Sequence, residues 1–361
     1  MFALEGNHSP ANTDLMQLSF VAPAPLDTPV GGFFYARRML AGLRELGHTV
    51  EVREIQGAHP NAAEPARSAA RDALAAARDG WRVLLDGLAL PAFVGQGDAL
   101  EVAGALGLVH HPAALSDGAV GEDRAGLRNA ALRLLPRLRR VVATSQAVAD
   151  RLAAEFGIST DRIVTVAPGT DQAPRSTGSG GPGCAILSVG ALIPRKGHDV
   201  LLRALARLFD LDWRLVIVGT ATRDPEHARA LGHLAEQLGI AAQVRFAGAL
   251  DDASLERLWQ GADLFALATH WEGYGNAVAD ALRRGLAVAV TSGGAAAALV
   301  PVEAGVVAPP GDHVQLSKAM RRVIFSPELR RDMAEVAWQA GRTLPDWATQ
   351  VRAFATALDA G

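Results

Sequence analysis

Short apolar runs separated by longer amphipathic segments recur along the whole 361-residue chain. Six lie in the first half (QLSFVAP, HTVEVREI, RVLLDGLA, LGLVHH, RRVVATS, RIVTVAPG) and six in the second (AILSVGAL, WRLVIVGT, QVRFAGAL, DLFALAT, LAVAVTS, AGVVAPP). Continuous apolar strands that alternate with helices are typical of parallel sheets covered on both faces. Two sets of about six βα units predict an α/β protein with two Rossmann-like domains.

The stretch DQAPRSTGSGGPG, between the two sets, has the Gly, Ser and Pro content of a linker. We therefore predict an N-terminal domain over residues 1–172, a linker over 173–183 and a C-terminal domain over 184–345. After Pro345, Asp346 has the character of an N-cap, which predicts a last helix over 346–361. Ligands of such sheets bind at the carboxyl ends of the strands, so two facing domains form a cleft there.

Composition narrows the classes of function. The formal net charge is −3, which argues against a nucleic-acid partner. Cys184 is the single cysteine and residues 1–14 lack the pattern of a signal peptide, so we expect a reducing, cytoplasmic location. We interpret residues 1–14 as an irregular lead-in, with disorder as one interpretation. The uncharged run Gly285–Val302 predicts a strand, a glycine turn and a short helix rather than a transmembrane segment.

The segment SVGALIPRKGHDVLLRAL predicts an anion site. A strand ends at Gly190, and Arg195 and Lys196 stand just before a helix. Two cations beside free backbone N–H groups suit a phosphate. The alternative is that both side chains are ordinary surface cations of a loop.

The segment HWEGYGNAVADALRRG follows another strand and carries two acids, Glu272 and Asp280. We predict a loop with Glu272, then a helix from about Asn276 to Arg284 with Gly285 as its C-cap. Glycines in the loop let a ligand approach the backbone, the helix start suits a phosphate, and carboxylates accept hydrogen bonds from sugar hydroxyls. The composite predicts a ligand with both phosphate and sugar. The alternative is a surface acid and a solvated helix residue.

Two further segments follow strands of the first half. The pair Gly31-Gly32 opens a helix, and the pair His110-His111 ends LGLVHH. One of these histidines is a candidate for contact with a substrate hydroxyl or phosphate, and a structural role is an equal alternative. A metal site is disfavoured, because adjacent histidines on a strand point to opposite sides and no third ligand is near in sequence.

Other patterns carry no catalytic prediction. Asp210 and Asp212 precede a strand, which is the wrong end of the sheet for a metal site. The arginine-rich stretch DRAGLRNAALRLLPRLRRV is interpreted as a solvated helix face in preference to peripheral contact with an anionic membrane. The fingerprints of serine hydrolases, P-loop proteins and paired-cysteine zinc sites are lacking.

Seven segments in order resemble the retaining glycosyltransferases of family GT4, which have the GT-B fold. They are GGFFYARRMLAGLRELGHTVEV, VVATSQAVADRL, VAPGTD, SVGALIPRKGHDVLLRAL, LVIVGT, VRFAGALDDASLERLW and ADLFALATHWEGYGNAVADALRRG. The resemblance covers nearly the whole chain from Leu18 onward. It implies two Rossmann-like domains facing each other across a cleft, with the last helix packing back on the N-terminal domain, and a bacterial, cytoplasmic enzyme.

The resemblance also implies roles for individual residues. Glu272 matches the acid on the donor sugar, Asp280 the acid on the ribose, Lys196 with Arg195 the cations on the diphosphate, and His110 the histidine beside the reacting sugar. Two departures stand out: Ala191 occupies a position where many members have an arginine on the diphosphate, and Asp280 is one methylene shorter than the usual glutamate. The full set implied for donor binding is Gly32, Gly190, Arg195, Lys196, Gly219, Ala249, Leu250, Gly273, Tyr274, Gly275, Asn276 and Asp280.

The implied reaction moves a hexose from a UDP- or GDP-sugar to an acceptor hydroxyl with retained anomeric configuration and without a metal or other cofactor. The acceptor is a small molecule, a glycan or a lipid-linked molecule that the sequence does not define. Two alternatives stay open: a weakened GT-B protein that binds a nucleotide sugar without efficient transfer, and a GT-B sugar-nucleotide epimerase. A nicotinamide oxidoreductase is disfavoured, because the G-x-G-x-x-G fingerprint is lacking.

Overall fold

A computed structural model describes residues 15–28, 31–76, 80–112, 114 and 121–359. The predicted lead-in over residues 1–14 lies outside these ranges. The structure contains two six-stranded sheets in which all paired strands are parallel. This arrangement confirms the α/β prediction of two Rossmann-like units. The exact domain boundaries stay predictions.

The first sheet has the strand order β2-β1-β3-β4-β5-β6. Within the described ranges, five helices, α1 to α5, connect its strands. The strands are β1 (Gln17–Pro23), β2 (Thr49–Ile55), β3 (Arg82–Asp86), β4 (Leu106–Val109), β5 (Arg140–Ala143) and β6 (Ile163–Thr165). The helices are α1 (Gly31–Glu45), α2 (Glu64–Ala75), α3 (Gly97–Val102), α4 (Gly121–Leu134) and α5 (Gln146–Phe156).

The second sheet has the order β12-β11-β10-β7-β8-β9. Its strands are β7 (Cys184–Val189), β8 (Trp213–Val218), β9 (Val244–Gly248), β10 (Leu264–Leu267), β11 (Ala287–Thr291) and β12 (Gly305–Ala308). The remaining helices are α6 (His198–Ala206), α7 (Pro225–Gln237), α8 (Asp252–Gln260), α9 (Asn276–Arg283), α10 (His313–Phe325), α11 (Pro327–Thr343) and α12 (Trp347–Asp359). The order in which successive strands are added reverses between β7 and β10, which makes this reversal point the expected ligand crevice of the sheet.

Apolar clusters on both faces of each sheet form the core, as expected for parallel sheets between helix layers. One N-terminal cluster includes Trp347, Val351 and Phe354 of α12, so the last helix packs back on the first sheet, as the resemblance implied. Asp346 accepts a hydrogen bond from the backbone N–H of Thr349 at 2.8 Å, which confirms the predicted N-cap. The backbone N–H of Thr170 donates to the carbonyl of Pro345 at 2.9 Å, so the two segments that connect the domains are paired.

Two local predictions from the sequence hold with small adjustments. Helix α9 ends at Arg283, one residue earlier than predicted, and Gly285 has φ +65°, the left-handed backbone typical of a glycine after a helix. The run Gly285–Val302 forms β11, a turn and a short 3₁₀ helix. Among the described residues, no helix is long and apolar enough to cross a membrane. In the arginine-rich stretch, Arg137 pairs with Asp98 and Glu101, which favours a solvated surface.

Candidate functional site

A cleft of about 420 Å³ lies between the two domains, at the carboxyl ends of β1, β3, β4, β7 and β10. Two of the loops that line it follow β7 and β10, the strands at the reversal point of the second sheet. The cleft brings together most of the predicted site residues: Gly32, His110, Gly190, Arg195, Lys196, Glu272, Gly273, Tyr274, Gly275, Asn276 and Asp280.

Three predicted residues, Gly219, Ala249 and Leu250, do not line this cleft in the described structure. Gly219 lies directly after β8 with its Cα against the carbonyl oxygen of Gly190. A side chain there would collide with the loop that follows β7, here called the β7 loop. Ala249 and Leu250 follow β9, the edge strand, where Ala249 is exposed and Leu250 packs on the apolar core. Their predicted contact with the base of a nucleotide stays a prediction.

Glu272 is the centre of an ion-pair cluster on the C-terminal side. The Lys196 ammonium donates a short hydrogen bond to Oε1 of Glu272, and Nη1 of Arg195 donates to the same oxygen at 3.2 Å. Burial alone would raise the pKa of Glu272, but the two cations more than offset it and the pKa is lowered. Burial lowers the pKa of Lys196, and Glu272 opposes that change. The two cations therefore favour the carboxylate form of Glu272, and Glu272 favours the charged form of Lys196.

Backbone contacts hold the two loops of this cluster in place. The N–H of His270 donates to the carbonyl of Arg195 at 2.9 Å, and the hydroxyl of Thr269 donates to the same oxygen at 2.9 Å. The N–H of Glu272 donates to the carbonyl of Gly293 at 3.0 Å. Because β10 pairs with β7, the loops after these strands are adjacent, and the hydrogen bonds fix Glu272 against Lys196.

The N-terminus of α9 lines the same part of the cleft as Glu272. Gly275 has φ +109° and lies so close to Ala296 that a Cβ would be 3.0 Å from the Cα of that residue. The first backbone N–H groups of α9 face no helical partner, which suits a phosphate or sugar oxygen. Asp280 follows about one turn later with 45% of its side-chain surface exposed. The cleft walls raise the pKa of Asp280, and the nearby Arg284 opposes this shift.

The N-terminal wall is built around Asp86, the last residue of β3, and His110, which directly follows β4. Asp86 is fully buried, its Oδ1 accepts from the N–H of Leu88 at 2.8 Å, and its Oδ2 lies 3.8 Å from Nε2 of His110. Neither Oδ2 nor Nε2 has a hydrogen-bond partner among the described residues. Burial raises the pKa of Asp86 to about 7 and lowers the pKa of His110 to about 4.

Two glycines let both domains approach His110. A Cβ on Gly32 would lie 2.9 Å from Cδ2 of the His110 ring, and a Cβ on Gly273 would collide with the carbonyl oxygen of His110. Next to this contact, the rings of His111 and Trp271 stack with centroids 4.4 Å apart. The loop that carries Glu272 therefore touches the N-terminal domain directly, and the histidine pair is part of the domain interface.

Sequence reasoning missed two ionisable residues of the cleft. Asp86 is the last residue of β3, and Arg223 lies in the loop between β8 and α7. Both positions follow the rule that strand carboxyl ends carry the site, so the rule itself was the signal that could have found them. Among the described residues, no group of three or more His, Cys, Asp or Glu side chains is placed to hold a metal ion. Asp210 pairs with Arg321 at 2.7 Å.

Two parallel α/β sheets that face each other across a polar cleft, with the last helix packing back on the first sheet, define a GT-B fold. Residues 171–339 match the family model described as glycosyl transferases group 1. This match covers the C-terminal half of the chain, and over that part it confirms the predicted resemblance to family GT4.

The curated relatives include a D-inositol 3-phosphate glycosyltransferase from Saccharomonospora viridis, 31% identical over 209 residues, which are 53% of this chain and 48% of the relative. A mannosylfructose-phosphate synthase from Agrobacterium fabrum is 27% identical over 225 residues, 57% of this chain and 50% of that protein. The match thus spans about half the length of these relatives.

Solved structures match over nearly the whole chain. HepE of Anabaena in complex with UDP-glucose has a TM-score of 0.74 at 19% identity, covering 95% of this chain and 99% of that one. Sucrose-phosphate synthase from Thermosynechococcus elongatus has a TM-score of 0.76 at 18% identity, covering 94% and 97%. At these identities the likeness concerns the fold, and it confirms the GT-B prediction.

Proposed function

We propose that the chain transfers a hexose from a UDP- or GDP-sugar to an acceptor hydroxyl, with retained anomeric configuration and without a bound metal. The observation that carries the proposal is the cluster of Glu272, Lys196 and Arg195 at the reversal point of the second sheet, opposite His110. The names of the curated relatives and the UDP-glucose complex of HepE are consistent with it.

In this proposal the donor lies along the C-terminal wall. Lys196 and Arg195 bind the diphosphate, the first N–H groups of α9 bind a phosphate or sugar oxygen, and Asp280 accepts hydrogen bonds from the ribose. Glu272, held charged by the two cations, accepts hydrogen bonds from hydroxyls of the transferred hexose. The base is bound near the β9 loop, mainly through backbone groups.

The chemical step breaks the bond between the anomeric carbon and the diphosphate oxygen, while the acceptor oxygen forms its bond to the same face of that carbon. The departing diphosphate takes the proton of the acceptor hydroxyl. Cations and helix N–H groups that are already in place stabilise the charge that develops on the leaving group, and such electrostatic stabilisation usually dominates. The carbonyl and ring of His110 border the space for the hexose.

The acceptor is expected on the N-terminal wall, next to Asp86 and His110. Their unpartnered Oδ2 and Nε2 atoms can accept from and donate to a hydroxyl. This wall is compatible with a small-molecule, glycan or lipid-linked acceptor. The curated relatives whose names carry inositol 3-phosphate are matched over only about half their length, and we do not assign their acceptor.

The first test measures nucleotide binding by calorimetry and thermal shift with UDP, GDP, their hexose conjugates and ADP as control. We expect UDP or GDP to bind clearly more tightly than ADP and to raise the melting temperature. Equal binding of all three diphosphates, or no binding of any, contradicts the assignment of the donor site.

The second test follows transfer with the donor that binds best and a panel of acceptor alcohols, in buffer with and without EDTA. We expect acceptor-dependent release of the nucleoside diphosphate, a glycoside with the donor's anomeric configuration by NMR, and no loss of rate with EDTA. An inverted product or a rate abolished by EDTA contradicts the mechanism. Acceptor-independent release of an epimerised free sugar indicates an epimerase instead.

A further inference from the structure

The cations of the predicted phosphate site are largely occupied by one carboxylate. Lys196 and Arg195 both donate to Oε1 of Glu272, and Nη1 of Arg195 also donates to the carbonyl of Trp271 at 2.5 Å. Two positive charges and one negative charge leave the cluster with a net charge of +1. Each phosphate of a diphosphate carries about one negative charge or more at neutral pH. The cluster alone therefore does not neutralise a diphosphate.

Arg223 is a third cation on the same wall. It lies in the loop between β8 and α7 and lines the cleft together with Arg195 and Lys196. Within the described part of the chain, no hydrogen bond or ion pair joins its guanidinium to a partner. Burial lowers the pKa of both Lys196 and Arg223; the charge of Arg223 adds to the shift of Lys196, and the charge of Arg195 adds to that of Arg223. An unpaired arginine beside two other cations is the arrangement that a bound anion stabilises.

The backbone of the β8 loop explains how Arg223 reaches this wall. The N–H of Leu192 donates to the carbonyl of Thr220 at 3.0 Å, so the β7 loop and the β8 loop run side by side. Ala191, which also lines the cleft, is small and uncharged. The neighbouring Asp224 caps α7 by accepting from the N–H of His227 at 2.9 Å, so this oxygen is engaged by the helix.

We propose that Arg223, the cation of this wall that does not pair with Glu272, binds the diphosphate of the donor and of the released nucleoside diphosphate. The inference rests on the proposed function, since it assigns a further residue to the same donor site. It also explains how a chain with Ala191 at the start of the loop after β7 supplies a second net positive charge to the phosphates.

Calorimetry on three proteins tests this role: the parent, Arg223→Ala and the control Arg229→Ala, which removes an exposed arginine of α7 outside the cleft lining. Each is titrated with UDP or GDP, whichever the parent binds, and with the matching nucleoside. We expect Arg223→Ala to bind the diphosphate about tenfold more weakly, the value for one charge-assisted contact. Nucleoside affinity should be unchanged, and the control should match the parent for both ligands.

A double variant separates a diphosphate contact from a structural effect. Ala191→Arg in the Arg223→Ala background places an arginine on the neighbouring loop of the same wall, and we expect it to recover part of the diphosphate affinity. Unchanged diphosphate affinity in Arg223→Ala, or an equal loss for the nucleoside, overturns the inference while the proposed function stands. A parent that binds neither UDP nor GDP overturns the proposed function, and the inference falls with it.

Discussion

The two walls of the cleft have opposite electrostatic character. The C-terminal wall carries three cations, Arg195, Lys196 and Arg223. Glu272 pairs with the first two, and Asp280 lies at the far end of this wall. The described lining of the N-terminal wall contains no arginine or lysine, and its buried Asp86 lies against His110. Burial raises the pKa of Asp86 to about 7 and lowers that of His110 to about 4, so it favours the neutral form of both groups.

This contrast shows how one cleft can serve two different ligands. A wall with more cations than carboxylates suits an anion such as a diphosphate. Buried groups in their neutral forms can both donate and accept hydrogen bonds, which suits the hydroxyl of a sugar or an acceptor. The four variants below test this division, each altering one wall and leaving the other intact.

The largest effect is expected for Lys196→Ala on the C-terminal wall. The change removes a cation from the proposed leaving group and leaves buried Glu272 with Arg195 alone. We expect kcat/KM for transfer to fall by about 10²- to 10³-fold, as for other groups that stabilise developing charge. Lys318→Ala, on the exposed face of α10, is the matched control and should keep the parent rate. If Lys196→Ala keeps the parent rate as Lys318→Ala does, Lys196 takes no part in the reaction.

The second variant, Gly32→Ala, introduces a steric clash in the N-terminal wall. The new Cβ would lie 2.9 Å from the His110 ring, so the imidazole must shift, and overpacking of this kind costs about 1–3 kcal/mol. We expect kcat/KM to fall about tenfold or more, with the affinity for the nucleoside diphosphate unchanged. The control is Gly31→Ala, one residue earlier, where a Cβ meets nothing within 4 Å. If both variants behave alike, the close approach to His110 is not what matters.

The third variant, Asp86→Asn, tests the buried carboxyl through the pH dependence of folding. The ordinary pKa of aspartate is 3.8 and burial raises that of Asp86 to about 7. Between these values the folded protein holds a proton that the unfolded chain has lost. The parent therefore loses stability as the pH rises from about 4 to 7, by up to about 1.4 kcal/mol per pH unit.

Asparagine has no such proton, so Asp86→Asn should gain stability relative to the parent as the pH rises through this window and level off above it. Urea unfolding of both proteins at several pH values between 4.5 and 8 measures the difference. Asp98→Asn is the control, since 94% of the Asp98 side chain is exposed, and its difference from the parent should be nearly flat. A flat difference for Asp86→Asn as well would place its pKa near the ordinary value.

These variants also mark what the sequence could predict. Strand and helix positions followed from apolar periodicity and from caps such as Asp346 and Gly285, which are local signals. Glu272 and Lys196 were recognised in separate motifs, but their direct ion pair depends on β10 pairing with β7. Strand order is a long-range property, and a single sequence carries no local mark of it.

The missed residues have a related explanation. Asp86 looks like an ordinary acid at the end of RVLLD, and its neutral form and its contact with His110 arise only when β4 is packed beside β3. Arg223 lies in a loop of polar residues, TATRD, where a cation is unremarkable until the neighbouring loop places it by Lys196. Burial and neighbouring charges gave these two residues their significance, and both are properties of the folded chain.

The smallest effect is expected for Asp280→Ala, which tests the proposed ribose contact at the far end of the C-terminal wall. With 45% of its side chain exposed, Asp280 is screened, so we expect the affinity for UDP or GDP to fall only about fivefold. The matching 2′,3′-dideoxynucleotide should bind the parent and the variant equally, because it lacks the hydroxyls that Asp280 would bind. Asp332→Ala, on the exposed face of α11, should leave the affinity for both ligands unchanged.

The raised pKa of Asp280 gives the contact a pH dependence: the ribose preference should be weaker near pH 5, where more of the carboxyl is protonated, than near pH 8. An equal loss for the dideoxynucleotide would assign Asp280 a role in holding α9 rather than in binding the ribose.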